Sequence, residues 1–304
     1  MKLRLGTRGS RLALVQAGQV ADALRARGEE IEIVIIRTSG DRLADVALAD
    51  FGGKALFVRE IEEALLDGRV DAGVHSLKDM PAELPSGLSL PVFPAREDPR
   101  DVLLTRSGGG LDDLPRGARV ATSSLRRRAL LLARRPDLKI EPIRGNVDTR
   151  LRKLEEGLCD GLVMARAGLE RLGLKPEHAH PLAIEEFLPA VGQGILAVET
   201  RTVDVQVAEA LRAVDHAGTR TQALAERAFI RRLGAGCHTP VGGHARLVGG
   251  ALAIAGLVAS ADGATMLTAE VSGPAAEAEA LGERLADDLL DRGARRLLDA
   301  GGGA

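Results

Sequence analysis

Apolar positions in the first 90 residues switch between two periods. Lys2–Gly6 alternates as a short strand, whereas Ser10–Arg27 repeats its apolar residues at helical spacing. Ser10 stands at the N-cap of that helix and Gly28 lies just past its end. Ile31–Arg37 (IEIVIIR) is β-branched enough to read as a buried strand. Phe57–Leu66 returns to helical spacing and stops at Gly68, and Val70–His75 is again a strand, ending at SLKDMP. Strand–helix alternation of this kind predicts a mainly parallel sheet with helices on its faces.

Pro91, Pro94, Pro99 and the Gly108–Gly110 run mark a change of unit. The alternation then resumes: strand Ala118–Ala121, helix Leu125–Ala133, strand Leu138–Ile143, helix Thr149–Glu156, strand Gly161–Ala165. Pro189–Gly194 (PAVGQG) reads as a second crossing, followed by strand Ile195–Glu199. From about residue 217 the pattern becomes a helix (Thr219–Leu233), a Gly-rich turn, three short strands and a closing helix (Ala275–Leu290). The expected fold class is α/β: two lobes around a hinged cleft, plus a small C-terminal α+β domain. Expected boundaries are 1–95 with 191–214, 96–190, and 215–304.

Composition removes several functions. The 304 residues carry 41 Lys+Arg against 43 Asp+Glu, a net charge of −2, which argues against a generally basic nucleic-acid binder. Five Phe with no Trp or Tyr leave little with which to stack single-stranded bases. Two cysteines, Cys159 and Cys237, are too few for a disulfide framework or a four-ligand zinc site, and no metal is expected. No apolar run approaches a membrane span and the N-terminus lacks a signal-peptide pattern, so a cytoplasmic chain is expected, with monomer as its state.

The charge is nevertheless lopsided. Between Arg116 and Lys153 twelve basic residues face three acids. A solvated helix face is the ordinary reading of such a run, but its position points elsewhere. Thr122-Ser123-Ser124-Leu125-Arg126-Arg127 lies where a strand ends and a helix begins, where free N–H groups and the helix dipole favour an anion. Arginine adds paired donors for carboxylate or phosphate. Arg144-Gly145-Asn146-Val147-Asp148-Thr149-Arg150 and Thr7-Arg8-Gly9-Ser10 repeat the arrangement after two other strands. Three such junctions at strand C-termini predict a multi-anionic ligand in a cleft. Neither a Walker lysine motif nor GxGxxG is present, which disfavours nucleotides.

Only six of the 41 basic residues are Lys, which leaves 35 Arg and singles out Lys54 (FGGK) and Lys78 (HSLKD). Asp79, just past a strand, is expected to project into the cleft as a helix cap or as an acid/base group among cations. His75 reads as a structural histidine, Cys159 as structural, and Cys237 (GAGCHTP) as an exposed thiol suited to covalent attachment.

Taken together, TRGSRLAL, FGGKALFVRE, VHSLKDMP, ATSSLRRR, IRGNVDTRL, LPAVGQG and LGAGCHTPVG, in that order, resemble the porphobilinogen deaminase family. The resemblance implies a transferase that joins four porphobilinogen molecules head to tail with release of ammonia. It also implies a covalent dipyrromethane cofactor, held as a thioether on Cys237, and Asp79 as catalytic carboxylate. Arg8, Arg126, Arg127, Arg144, Arg150 and Arg171 would hold acetate and propionate groups. Ser10, Lys54, Ser76, Lys78, Thr122, Ser123, Ser124, Gly145, Asn146 and Gln193 would make further cofactor or substrate contacts. The implied fold is two lobes of periplasmic-binding-protein type with the cysteine on a loop of the third domain. No nucleic acid or membrane partner is implied. A transport-type binding protein would share the cleft and arginines but would have no use for Cys237. A nucleic-acid binder would use the Arg116–Lys153 cluster along phosphates.

Overall fold

The structure, a computed structural model, describes residues 1–38, 58–236 and 239–301. The chain opens with β1 (Lys2–Arg8), α1 (Arg11–Arg25), β2 (Glu30–Ile36), α2 (Arg59–Leu66), β3 (Ala72–Ser76) and β4 (Leu88–Val92). β1 pairs in parallel with β2 and β3, as the alternating pattern requires. Ala17, Val20, Ala21 and Leu24 of α1 are buried against Leu3, Leu5 and Val74, so the apolar stripe of the helix is what seats it on the sheet. Phe57 lies outside the described residues; the rest of the expected helix is Arg59–Leu66.

The second lobe repeats the plan with β5 (Asp101–Thr105), β6 (Arg119–Ala121), α3 (Leu125–Arg134), β7 (Lys139–Glu141), α4 (Val147–Glu155), β8 (Gly161–Ala165), α5 (Arg166–Arg171) and β9 (Ala179–Pro181). The chain then returns through β10 (Leu196–Arg201) and α6 (Val205–Leu211). The strand orders are β2-β1-β3-β10-β4 and β7-β6-β8-β5-β9, the same order twice. In each sheet four strands run in one direction and the strand arriving from the other lobe runs antiparallel to both neighbours. The sheets are mainly parallel as expected, each with one antiparallel strand. The cause is connectivity: β5 and β10 are the chain ends of the two crossovers, and each enters its sheet from the opposite side.

The crossovers meet at the hinge. Glu97 N–H donates to Gly194 C=O at 3.1 Å. Gly194 has φ 86 and lies so close to Glu97 O that a Cβ has no room there. Glu226, fully buried, accepts from Arg96 Nη1 at 2.6 Å, Gly192 N–H at 2.6 Å and Ala245 N–H at 2.8 Å. One carboxylate thus joins both crossovers to the third unit, and a buried carboxylate is tolerated because cation and N–H donors replace its water.

That unit consists of α7 (Ala217–Leu233), the antiparallel strands β11 (Val241–Val248), β12 (Ala251–Ala259) and β13 (Met266–Pro274), α8 (Ala278–Asp291) and α9 (Ala294–Gly301). Phe229, Leu233, Ile254, Leu281, Leu285 and Leu289 form its core, each fully buried. Each large side chain removed from water is worth about 1.5–3 kcal/mol, and this core is what holds the three helices to the sheet. Among the described residues no helix is long and apolar enough to cross a membrane.

Candidate active site

Three helix N-termini point at the cleft, each capped by a short polar side chain. Ser10 Oγ accepts from Ala13 N–H at 3.3 Å, Ser124 Oγ from Arg127 N–H at 3.4 Å, and Asn146 Oδ1 from Thr149 N–H at 2.9 Å. These caps start α1, α3 and α4 at the C-terminal ends of β1, β6 and β7, where the sequence places its basic junctions. Ser123 ties two junctions together: its Oγ donates to Ile143 O at 2.6 Å and accepts from Ile143 N–H at 3.0 Å. Thr122 is buried and its Oγ1 accepts from Ser124 N–H at 3.2 Å. Gly145, at φ 104, carries the chain into α4, and a Cβ there would meet Thr149 Cγ2 at 2.6 Å.

β3 ends in a one-turn 3-10 segment, Leu77–Asp79, which lifts Asp79 to the surface of a cavity. Arg8, Ser10, Gln16, His75, Ser76 and Asp79 line that cavity. Gln16 Nε2 donates to Ser76 Oγ at 2.9 Å, so α1 fixes the strand end.

From the second lobe, Arg126 and Arg127 converge on Asp101, the first residue of β5. Arg126 Nη2 and Arg127 Nη2 each lie 2.7 Å from Asp101 carboxylate oxygens. Gln193 Nε2 donates to the same carboxylate at 2.9 Å, and Lys78 Nζ lies 3.4 Å from Gln193 Oε1. Burial pushes the Asp101 carboxyl up, but Arg126 and Arg127 together pull it well below the usual carboxylate range. Loss of water around the Lys78 ammonium lowers it to about 8; Asp79 and Asp101 oppose that shift while Arg127 and Arg126 add to it. Arg150 is pushed down to about 10, first by burial, then by Arg127 and Arg144, with Asp79 opposing. Asp79, Lys78, Arg126, Arg127, Arg144 and Arg150 therefore share one electrostatic field that spans both lobes.

Backbone carbonyls orient most of these cations. Arg126 Nη1 donates to Leu188 O at 2.7 Å, Arg127 Nη1 to Val163 O at 3.0 Å and Arg150 Nε to Gly145 O at 2.8 Å. Arg126 Nε is buried with no hydrogen-bond partner among the described residues. A group rich in carboxylates fits such a donor set.

Arg171 stands apart from the Asp79 cavity. Its Nη2 donates to Gly194 O at 2.8 Å, and it lines a second cavity beside the crossovers with Gln19, Arg27 and Glu97. Lys54 and Cys237 lie outside the described residues. The chain on either side of residues 237 and 238 is fixed by Gly236 C=O, which accepts from Thr239 N–H at 3.1 Å. Cys159 is a buried free thiol of the second lobe. Among the described residues no His, Cys, Asp and Glu cluster could hold a metal ion. Sequence reasoning missed Asp101: an acid between Pro99 and an apolar run reads as a turn residue, and its partners lie 25, 26 and 92 positions away.

Comparison with known proteins agrees with the motif order. Residues 3–209 match the family model "porphobilinogen deaminase, dipyromethane cofactor binding domain", and 220–291 match "porphobilinogen deaminase, C-terminal domain". The chain is 48 % identical over 299 residues to the porphobilinogen deaminase of Syntrophobacter fumaroxidans, covering 98 % of this chain and 97 % of that one. It is 51 % identical over 296 residues to that of Desulforudis audaxviator, covering 97 % and 96 %. Among solved structures it is similar to a Salmonella typhimurium periplasmic binding protein with high arginine specificity. That likeness has 17 % identity and a TM-score of 0.41, over 70 % of this chain and 91 % of that one. The chain belongs to the porphobilinogen deaminase family.

Proposed function

We propose that this chain condenses four porphobilinogen molecules head to tail, releasing ammonia at each step, to give hydroxymethylbilane. The observation that carries the reading is the surplus of positive charge facing one exposed carboxylate. Arg8, Lys78, Arg126, Arg127, Arg144 and Arg150 surround or adjoin Asp79, with Asp101 paired to Arg126 and Arg127 within their network. Each substrate ring brings two carboxylates, and arginine forks, lysine and capped helix N-termini are the groups that bind them.

The cofactor of the family is dipyrromethane. When bound, it supplies the free pyrrole carbon to which the first substrate is joined. Cys237 is its proposed anchor through a thioether. Arg126, Arg127, Arg150, Ser123, Ser124 and Lys78 would hold its acidic side chains, with Arg8, Ser10, Ser76, Thr122, Arg144, Gly145, Asn146 and Gln193 completing the cleft. Lys54 and Arg171 are proposed as further contacts, Arg171 acting from the hinge.

Asp79 has two tasks. As ammonia leaves the aminomethyl group, the substrate ring becomes an electron-poor azafulvene, and the Asp79 carboxylate stabilises its positive charge. When the two rings join, Asp79 accepts the proton lost from the ring carbon. The surrounding cations keep a separate role: carbonyl partners fix the direction of Arg126, Arg127 and Arg150, and in this reading the acidic side chains of the substrate complement them.

The same reading divides the chain into 1–95 with 191–214, 96–190, and 215–304, and makes it a cytoplasmic monomer with neither nucleic acid nor membrane as partner. Intact mass of the purified chain tests the reading. A two-pyrrole addition is expected on the wild type and none on Cys237→Ser, together with porphobilinogen consumption and ammonia release by the wild type alone. An adduct on the serine variant refutes the anchor, and a wild type that neither carries the adduct nor consumes porphobilinogen refutes the function.

A further inference from the structure

Beneath the Asp79 cavity lie three buried ionisable groups that the mechanism so far leaves unused. His75 on β3, 5 % exposed, pairs with Ala197 of β10 across the sheet. Glu199, two residues along β10, is fully buried, and its Oε2 lies 3.1 Å from His75 Nε2. Neither Glu199 oxygen receives an aligned hydrogen bond among the described residues. Glu62 on α2, 6 % exposed, packs over the pair with its Oε1 unpartnered. Gly73 makes the arrangement possible, since a Cβ there would stand 2.8 Å from His75 Nε2 and 2.7 Å from Ile61 Cγ2.

Two carboxyls and one imidazole in a water-poor space cannot all be charged at low cost. The three groups therefore share protons, and what one holds depends on the others. Burial, then the charge of Glu199, pushes Glu62 up to about 7, with His75 opposing and Glu63 adding. Among the described residues, other charged groups near the cluster are Glu63 of α2, Arg227 of α7, which feels Glu199, and Arg8 and Asp79 across the cavity. Arg227 also donates to Pro81 O at 3.2 Å and Ala82 O at 3.0 Å, holding the segment just beyond Asp79.

His75 and Asp79 line the same cavity of about 60 Å³. That is room for several waters at roughly 10–15 Å³ each, enough for a proton path between them. We propose that the cluster of His75, Glu199 and Glu62 is the proton store of the site, with His75 as its contact with the cavity. It takes the ring proton from Asp79 after each coupling and returns it to the ammonia that departs in the next turn.

The step balances. Asp79 goes from acid to carboxylate as one proton passes through His75 and converts a cluster carboxylate to the acid. When ammonia leaves, the proton moves back out and ammonia becomes ammonium. No electrons change hands. The store matters because each turn presents Asp79 with a new proton while substrate carboxylates fill the cleft above it.

The inference rests on the proposed activity, and its test separates the two. Holoenzymes of wild type, His75→Gln and Glu62→Gln are compared for kcat and KM from about pH 6 to 9, with cofactor load read by mass. Wild-type kcat is expected to show a limb near pH 7 that Glu62→Gln removes. His75→Gln is expected to lose roughly ten- to hundred-fold in kcat with KM within about two-fold, within the range of general acid–base assistance. Profiles that superimpose after scaling, or a loss confined to KM, overturn the proton store. Glu62→Gln is close to isosteric and decides the matter alone if His75→Gln does not fold. A wild type without turnover or adduct refutes the proposed function instead.

Discussion

Asp101→Asn is the sharpest perturbation of the cleft. The side chain keeps its shape but loses the charge that Arg126 and Arg127 share, both through contacts of 2.7 Å. Asp101 is fully buried, Arg126 is 3 % exposed and Arg127 8 %. Removing one partner from a buried ion-pair network costs about 3–5 kcal/mol, because the remaining charges stay desolvated. For a chain of this size that is a fall in Tm of roughly 6–10 °C, taking about 2 °C per kcal/mol. The pH dependence has a definite sign. Asp101 in the fold titrates well below an ordinary carboxyl, held there by Arg126 and Arg127 against the opposing effect of burial. Its contribution is therefore full above the unfolded value near pH 4 and is lost as pH falls through the folded one. Thermal melts should show a constant gap between wild type and variant from about pH 5 upward, closing in acid. A Tm within 1 °C of wild type at neutral pH, or a gap that widens on acidification, refutes the reasoning.

Asp79→Asn should fold and carry the dipyrromethane adduct by intact mass, yet lose roughly 10²–10⁴-fold in product formation, the range for a removed acid–base group; near-normal turnover sinks the assignment. Arg11→Ala removes an ion pair of 2.9 Å to Asp148 that bridges the lobes, but its side chains are 57 % and 44 % exposed. Chemical denaturation should move by no more than about 0.5 kcal/mol, and a loss above about 2 kcal/mol would show that the pair holds the lobes together.

Much of the architecture is legible in the sequence because local pattern decides it. Ser10 and Ser124 mark helix starts by their own hydroxyls, and the carboxyl ends of β1, β6 and β7 carry the cations where the motifs place them. What the sequence hides is long-range pairing. β4 (LSLPV) contains a proline and β9 is three residues long, so neither has a periodic signature. β10 rejoins a sheet whose other strands precede the whole second lobe, β5 pairs with β8 and β9 rather than with β6 that follows it, and nothing in their residues states these pairings. Glu199 is hidden for the same reason: in LAVETR it reads as the polar member of an exposed alternation, whereas β10 lies between β3 and β4.

The division of labour among the cations follows from their partners. Paired with carboxylates, they would be oriented but neutralised. Arg150 is instead aimed by the carbonyl oxygen of Gly145, and Arg126 and Arg127 share a single carboxylate while the carbonyl oxygens of Leu188 and Val163 aim their remaining donors, so net positive charge is left. Asp101 neutralises one charge and, through Gln193, links the pair to Lys78 on the other lobe. The field over Asp79 is thus strongly positive, yet Asp79 itself is exposed and lies over a buried cluster containing two further carboxyls. In the proposed reading, substrate acids and the reacting centre need opposite fields within one cleft. The fold supplies both by drawing cations from helix starts of the second lobe and carboxyls from the sheet and the covering helix of the first.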